Sequence, residues 1–282
     1  MKLSKILFLL IALPFFLIGG EKQLSLKNVY KVTINAGTGY FRFTTNRHKH
    51  PIEMEYTFPE KNVSYVYNYE DDHKTDMEIS FGKLKVSSDD DDININISKN
   101  GPLSDSAYVN LYPNKPIDFK LNTGASRCNI DIGDINLRSI DINSGASNID
   151  INFENVRKLS LDYLNISSGA SKIKANNLLN CGADSINISG GVNKLFLDFT
   201  GKLKKNMYVK ILSGVGLTNI GIDKNISCIM VISKGFLASN DISEYFEKVD
   251  DSTYVSPSYR GNKKHLNIHI ENSLGCVNIY EK

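Results

Sequence analysis

Apolar and polar residues alternate along most of this chain, and between Leu121 and Leu217 the alternation is itself periodic. Asn122-Thr-Gly-Ala-Ser-Arg-Cys-Asn-Ile130 is followed by Asn143-Ser-Gly-Ala-Ser-Asn-Ile149 and Ser167-Ser-Gly-Ala-Ser-Lys-Ile173. Weaker copies follow at Ser189-Gly-Gly-Val-Asn-Lys-Leu195 and Leu212-Ser-Gly-Val-Gly-Leu217. The glycines that mark the phrase, Gly124, Gly145, Gly169, Gly191 and Gly214, are separated by 21, 24, 22 and 23 residues. Apolar pairs stand on both sides of each glycine, such as Phe119/Leu121 and Ile130/Ile132, or Ile140/Ile142 and Ile149/Ile151. Side chains of a strand point alternately to opposite faces, so these pairs share one interior while Asn, Asp, Ser and Lys face outward. Strand-like phrases at such a period predict an all-β fold of stacked coils, with the five glycines as structural turns.

Outside the repeat the pattern changes twice. Val29 to Ala36 alternates and runs into Gly37-Thr-Gly-Tyr-Phe-Arg-Phe43, an early copy of the phrase. From about His48 to Asn114 the runs read as hairpins: Ile52 to Phe58, Val63 to Tyr69, Asp76 to Phe81, Leu84 to Ser88, Ile93 to Ile97 and Ala107 to Tyr112. After Gly235, apolar residues at Ile242, Tyr245, Phe246 and Val249 with Asp241 as N-cap predict a short helix. Two strands, Leu266 to Ile270 and Cys276 to Tyr280, then form a closing rung, with Ser273 in the place of the glycine. The expected organisation is 1–20 signal peptide, 21–118 N-terminal hairpin part, 119–235 repetitive core, and 236–282 helix plus closing strands.

The first 20 residues carry Lys2 and Lys5, an apolar run from Ile6 to Ile18, and Gly19-Gly20. This reads as a secretory signal peptide, the run being short of the roughly 20 residues that span a bilayer. If uncleaved it would serve as an anchor; no cysteine follows it, which argues against lipid attachment. Once Lys2 and Lys5 are removed, 31 basic residues face 31 acidic ones. That balance lacks the basic field of a nucleic-acid or anionic-lipid binder, so no nucleic acid and no membrane span after signal removal are expected. Absent tryptophan and little proline, with abundant polar residues, suit short strands and many turns. An exported chain with Cys128, Cys181, Cys228 and Cys276 invites disulfides. However, Cys181 and Cys228 fall two repeats apart, about 9.6 Å in a stacked coil, beyond the ~7 Å that a disulfide allows. Free buried thiols are expected.

At Pro116-Ile-Asp-Phe-Lys-Leu-Asn-Thr-Gly-Ala-Ser126 and Ile140-Asp-Ile-Asn-Ser-Gly-Ala-Ser147 the chain resembles the toast-rack (DUF4097-type) family of proposed adhesin domains, found in exported bacterial proteins and in LiaF-like stress accessories. Gly235-Phe236, Tyr254-Val-Ser256, Tyr259 and the final Ile-His-Ile and Leu-Gly-Cys-Val-Asn-Ile extend the likeness over residues 24–282. The resemblance implies a right-handed β-helix-like fold, an envelope setting and no catalytic residues. This chain lacks the N-terminal helical spans of the stress accessories, which weighs against a regulatory membrane role.

Candidate chemistry is sparse. Asp89 to Asp92 has no glycine to turn a calcium loop and reads as a solvated loop. His265 and His269 flank a strand, about 13 Å apart at ~3.3 Å per residue, too far to share a metal; His48, His50 and His73 read as surface groups. Ser-Gly-Ala-Ser, with Thr-Gly-Ala-Ser as its first copy at 123–126, comes three times in all, as turns do and active sites do not. Asp131 and Asp150 recur at one phase as an outer polar ladder, whereas a glycosidase needs its two acids in one cleft. The glycines lack the strand, helix and lysine of a phosphate loop. The tyrosines between Tyr56 and Tyr69 are the best candidate binding surface, against the alternative that they cover the hairpins. No catalytic residue, cofactor or metal is expected. The expected function is an exported, secreted, periplasmic or cell-surface scaffold that binds an envelope protein or glycan. The alternatives are a stress-signalling accessory and, further off, a glycan-active hydrolase.

Overall fold

The computed structural model describes residues 20–24, 29–45, 52–58, 62–71, 74–81, 84–89, 92–97, 105–132 and 135–282. The apolar segment at 1–19, His48, His50 and His73 lie outside these residues, as do Asp90 and Asp91. Strands in chain order are β1 (Gly20–Leu24), β2 (Val29–Ala36), β3 (Gly39–Thr44), β4 (Ile52–Tyr56), β5 (Val63–Asp71), β6 (Lys74–Phe81), β7 (Leu84–Asp89), β8 (Asp92–Ile97), β9 (Ser106–Leu111) and β10 (Ile117–Thr123). They continue with β11 (Ser126–Asp131), β12 (Leu137–Ser144), β13 (Asn148–Asn152), β14 (Tyr163–Asn176), β15 (Ser185–Phe199), β16 (Met207–Ile222), β17 (Cys228–Ile242), β18 (Glu247–Lys248), β19 (Thr253–Val255) and β20 (Leu266–Glu281).

The repeat does what its period demands. Each unit is one rung of two strand segments meeting at the glycine corner, and successive rungs pair in parallel. Ahead of the corner, Ile34, Leu121, Ile142, Ile166, Ile188, Ile211 and Ile270 occupy one register position from rung to rung. Beyond it Phe43, Ile130, Ile151, Ala175, Leu197, Ile220 and Ile279 do the same. Both columns are buried and belong to one continuous core, the architecture in which each unit hides its apolar edge only against its neighbours.

The glycines form the expected column, for a reason of distance rather than backbone dihedral. A Cβ on Gly124 would stand 3.1 Å from the carbonyl oxygen of Gly37, one on Gly145 3.1 Å from that of Gly124, and one on Gly169 3.0 Å from that of Gly145. Behind them a buried hydroxyl ladder lines the inside of the corner. Ser126 and Thr123 lie within 3.1 and 3.0 Å of the Ser147 hydroxyl, which donates to the Gly124 carbonyl at 3.0 Å. The serines of Ser-Gly-Ala-Ser are thus structural.

The hairpin region contributes a rung as well as hairpins. β5 and β6 are antiparallel, as are β7 and β8, but β6 also runs parallel to β2 and β9 parallel to β3. Phe81 and Asp105 meet the corner at Gly37 and Tyr40 through backbone bonds, so β7 and β8 leave the solenoid where other rungs hold their small-residue corner. Asp89 and Asp92, the two ends of the acidic run, pair across that hairpin. Phe41, Phe58, Phe81 and Tyr56 pack with centroid separations of 5.7–6.2 Å and close this end of the core.

Two expectations at the C-terminus are corrected. The short helix at 240–249 does not form: Asn240, Asp241 and Ile242 continue β17 and pair with Val277, Asn278 and Ile279. The helix-like apolar spacing instead serves a turn that folds Phe246 and, in part, Ile242 and Tyr245 onto the core. Sheet pairing of the whole backbone outweighs the weak local preference of so short a segment. The final strand is also not the last rung. β20 lies between β16 and β17, parallel to both, so the chain passes beyond its last position and returns to fill it. β19 pairs antiparallel with the first part of β17 and with β18.

Candidate functional site

The corner divides each rung into two outward faces, one before the glycine and one after it. On the first face, polar side chains bond to one another. Asn122 Nδ2 donates to Asn35 Oδ1 at 2.8 Å and Asn143 Nδ2 to Asn122 Oδ1 at 3.0 Å. Asn187 Nδ2 donates to Asn165 Oδ1 at 2.9 Å, and Asn165 Nδ2 to Asp141 Oδ1 at 3.1 Å. Arg138 is paired with Asp118, while Lys210 and His269 share Glu271. A shallow concavity of about 410 Å³ lies against Asn122, Asn143, Ser167 and Ser189, but these groups are spent largely on the ladder itself.

The second face is built differently. Three residues past each corner glycine stand Tyr40, Arg127, Asn148, Lys172, Lys194 and Leu217, rung by rung. Five residues past it stand Arg42, Asn129, Asp150, Lys174, Phe196 and Asn219. Arg42, Arg127, Lys172, Lys174 and Lys194 are exposed. Among the described residues Arg127, Lys172, Lys174 and Lys194 make no ion pair. Asn129 Nδ2 donates to the Tyr40 hydroxyl at 3.0 Å, and Tyr40 meets Tyr108 edge-on at 6.2 Å. Tyr108 is 42% exposed, so an aromatic pair borders the cationic rows. Beyond it, Glu55 pairs with Tyr108 across β4 and β9.

The carboxylates of this face keep separate partners. Asp150 Oδ1 accepts from Asn176 Nδ2 at 3.3 Å and Asp198 is bonded by Lys282. Burial raises the pKa of Asp131, Glu154 adds to the rise, and Arg42 opposes it. His265 contacts the Lys263 carbonyl and the Tyr259 ring, whereas His269 contacts Glu271; the two histidines share no partner. No group of three metal-ligating side chains occurs among the described residues. Cys128, Cys181 and Cys228 are buried, Cys276 is half-buried, and all four thiols are unpaired. Burial pushes the Cys128 and Cys181 thiols up to about 11 and Cys228 further still.

The tyrosines read as a binding surface divide. Tyr56 is 5% exposed and belongs to the aromatic cluster of the core, whereas Tyr65 is exposed; the side chains of Tyr67 and Tyr69 lie outside the described residues. Tyr40, half-buried, meets the exposed Tyr108, and the two belong to rungs formed by segments far apart in sequence. Arg157, a further residue not singled out by pattern, is buried in the turns that close the rungs and donates to the carbonyls of Ile135 and Leu137 at 2.7 and 2.8 Å.

These features define a parallel β-solenoid whose first face carries a hydrogen-bonded polar ladder, with Tyr208 exposed towards its late rungs, and whose second face carries exposed cations beside Tyr108. Residues 20–176, more than half of the chain, match the family model described as the N-terminal domain of toast_rack, DUF2154. The chain belongs to the toast-rack family. No protein of curated function matches it. Similar solved structures include a proposed cell adhesion protein from Clostridium sporogenes, 18% identical over 94% of this chain and 99% of that one, with a TM-score of 0.48. A proposed adhesin from Parabacteroides distasonis is 12% identical over 93% and 96%, with a TM-score of 0.39. Another from Parabacteroides merdae is 11% identical over 93% and 95%, with a TM-score of 0.37. Among the described residues no helix is long and apolar enough to cross a membrane.

Proposed function

We propose that the protein is an exported, non-catalytic scaffold of the bacterial cell envelope that works by adhesin-like binding through its second face. The observation that supports this is the contrast between faces. Side-chain amides and carboxylates of the first face bond to one another, while on the second Arg127, Lys172, Lys174 and Lys194 are exposed and make no ion pair among the described residues, beside half-buried Tyr40 and exposed Tyr108. Unused donors and amphipathic rings are what a recognition surface offers. The apolar leader supports export, and the triplicate serine corners, used structurally, support a role without bond-breaking chemistry.

The test is binding of the purified chain to isolated envelopes. Replacement of Tyr108 by Ala together with Arg127 by Ala should weaken binding by about tenfold, because both side chains are exposed and their loss leaves the core intact. A first-face control, Asn143→Ala, should not. Equal binding by the double variant and the parent chain would defeat the assignment of this face.

A further inference from the structure

Lys172 and Lys194 stand on adjacent rungs, and both ammonium groups lie over one ring, that of Phe196, at 5.7 and 5.4 Å from its centroid. The quadrupole of the ring attracts each cation but cancels neither charge, and among the described residues no carboxylate pairs with either one. Lys174 lies beside them, two residues along the same strand, and Arg127 two rungs earlier in the column of Lys172. Arg42 follows on β3. From the rung of Arg42 to that of Lys194 is four rung steps, about 19 Å at ~4.8 Å per step. One acid stands within the rows, Asp150, in register with Lys174 and bonded by Asn176, while Asp198 is paired with Lys282 and Asp131 lies partly buried near Glu154 and Arg42. Equal totals of acid and base therefore conceal a segregated surface. Fields act locally, within about a Debye length of 8–10 Å, so the patch and not the sum decides what this face attracts.

We propose that the second face binds a linear polyanion of the acidic-glycan class, seating phosphate or carboxylate groups on Arg127, Lys172, Lys174 and Lys194 and a sugar ring against Tyr108 and Tyr40. This rests on the second face being the binding surface and adds the chemistry of its ligand. The cations run along the solenoid axis, which suits a chain of repeated charges rather than one small anion. Guanidinium groups fit such oxyanions bidentately and ammonium groups as point charges. The tyrosine pair gives amphipathic area for a pyranose at one end, and Glu55 beyond it bounds the track. A duplex nucleic acid would have to cross that acidic border while using only a short row of cations.

The experiment titrates the purified full chain with oligogalacturonate, polyphosphate, a neutral cello-oligosaccharide of similar length and a double-stranded DNA oligomer, at several salt concentrations. At least one of the first two should bind, more weakly as salt rises. Lys172→Gln combined with Lys194→Gln should cut that affinity by about tenfold and flatten the salt dependence. Lys202→Gln combined with Lys224→Gln, on the turns, should not, and an unchanged thermal melt shows that both double variants are folded. Carboxylate against phosphate preference follows from comparing the first two probes. Salt-insensitive binding of the neutral oligosaccharide, lost in Tyr108→Ala, would overturn the polyanion and leave the binding face standing. Tighter binding of DNA than of either acidic polymer would overturn the glycan class. Unchanged anion affinity in the Lys172 and Lys194 variant, or binding of no probe, would overturn the proposal outright.

Discussion

The carbonyl oxygen of Gly191 lies 2.6 Å from the point where a Cβ on Gly214 would stand, closer than side-chain carbons approach backbone oxygens. At Gly145 the corresponding distance, to the oxygen of Gly124, is 3.1 Å. Both obstacles are backbone, held in place by the rung below, and cannot rotate aside. Gly214→Ala is therefore expected to destabilise by about 1–3 kcal/mol, the usual range for overpacking, and Gly145→Ala by less. Urea unfolding midpoints of the two variants check the order; a larger loss at Gly145 would mean that the column is not what limits the corner.

β20 ends the sequence, yet it is hydrogen-bonded on both sides, by β16 and by β17. Chain termini ordinarily fray first. Here the amides of Ile268, Ile270, Val277 and Ile279 are expected to exchange among the slowest in the protein, and those of Leu237 to Asp241, on the outer rung, much faster. Hydrogen exchange read by NMR or mass spectrometry distinguishes this from a terminal rung, in which β20 would open before β17.

Much of this could be read from the chain beforehand, and the failures have physical causes. The column of corner glycines and the two buried columns follow from the spacing of Gly124, Gly145 and Gly169. The second face was also within reach. Arg127, Lys172 and Lys194 each stand three residues past a repeat glycine, so aligning the repeats by phase reveals the cationic column that a net-charge argument hides. Return of β20 to a place between β16 and β17 was not legible, because parallel rungs of similar composition pair equally well in any order. The missing helix had a sufficient local pattern at Ile242, Tyr245, Phe246 and Val249, but the first three cover the end of a sheet while Val249 stays exposed, and a pattern does not say what it covers. Tyr40 and Tyr108 come together through a rung assembled from β6 and β9, an arrangement that depends on where a hairpin leaves the coil.

Three thiols sit in the core and the fourth does not. Burial holds Cys128 and Cys181 up to about 11 and Cys228 higher, so almost none of their reactive thiolate exists near pH 8. Cys276 is the half-buried member. Titration of the native protein with a thiol reagent should give one fast equivalent, lost in Cys276→Ser, and the full complement only in denaturant. Rapid modification of Cys228 would contradict the packing at the start of β17.

Asp118 should give the solenoid an acid-sensitive seam. Burial raises its pKa, but hydrogen bonds from Arg138 and from Ser139, the latter at 2.5 Å, and the charges of Arg138 and Lys31 outweigh that and leave it below 3.8. A depressed carboxylate stabilises the fold above its unfolded pKa of about 3.9, and that stability is lost as pH falls through the lower folded value. Asp118→Asn should lower stability near neutral pH and flatten its dependence on pH below about 4. Melting temperatures of parent and variant between pH 2 and 7 read this directly; parallel curves would show that the pair contributes nothing.

In the late rungs the polar groups of the inner corner are less well satisfied. Ser213 and Asn272 occupy one register position on β16 and β20 and are 3% and 2% exposed. Neither the Ser213 hydroxyl nor either polar atom of the Asn272 amide has a hydrogen-bond partner, in contrast to the ladder at Thr123, Ser126 and Ser147. A buried polar group left unbonded costs about 1–3 kcal/mol. Removing the hydroxyl removes that cost and takes away little volume, so Ser213→Ala should raise stability by about 1 kcal/mol. Ser147→Ala, which breaks a satisfied network, should lower it by a similar amount. Opposite signs for two substitutions of the same kind, measured by urea unfolding at one pH, are the expected outcome. If Ser213→Ala destabilises instead, an ordered water bonds the hydroxyl, and amide exchange at Ser213 and Asn272 should then be as slow as at Ser147.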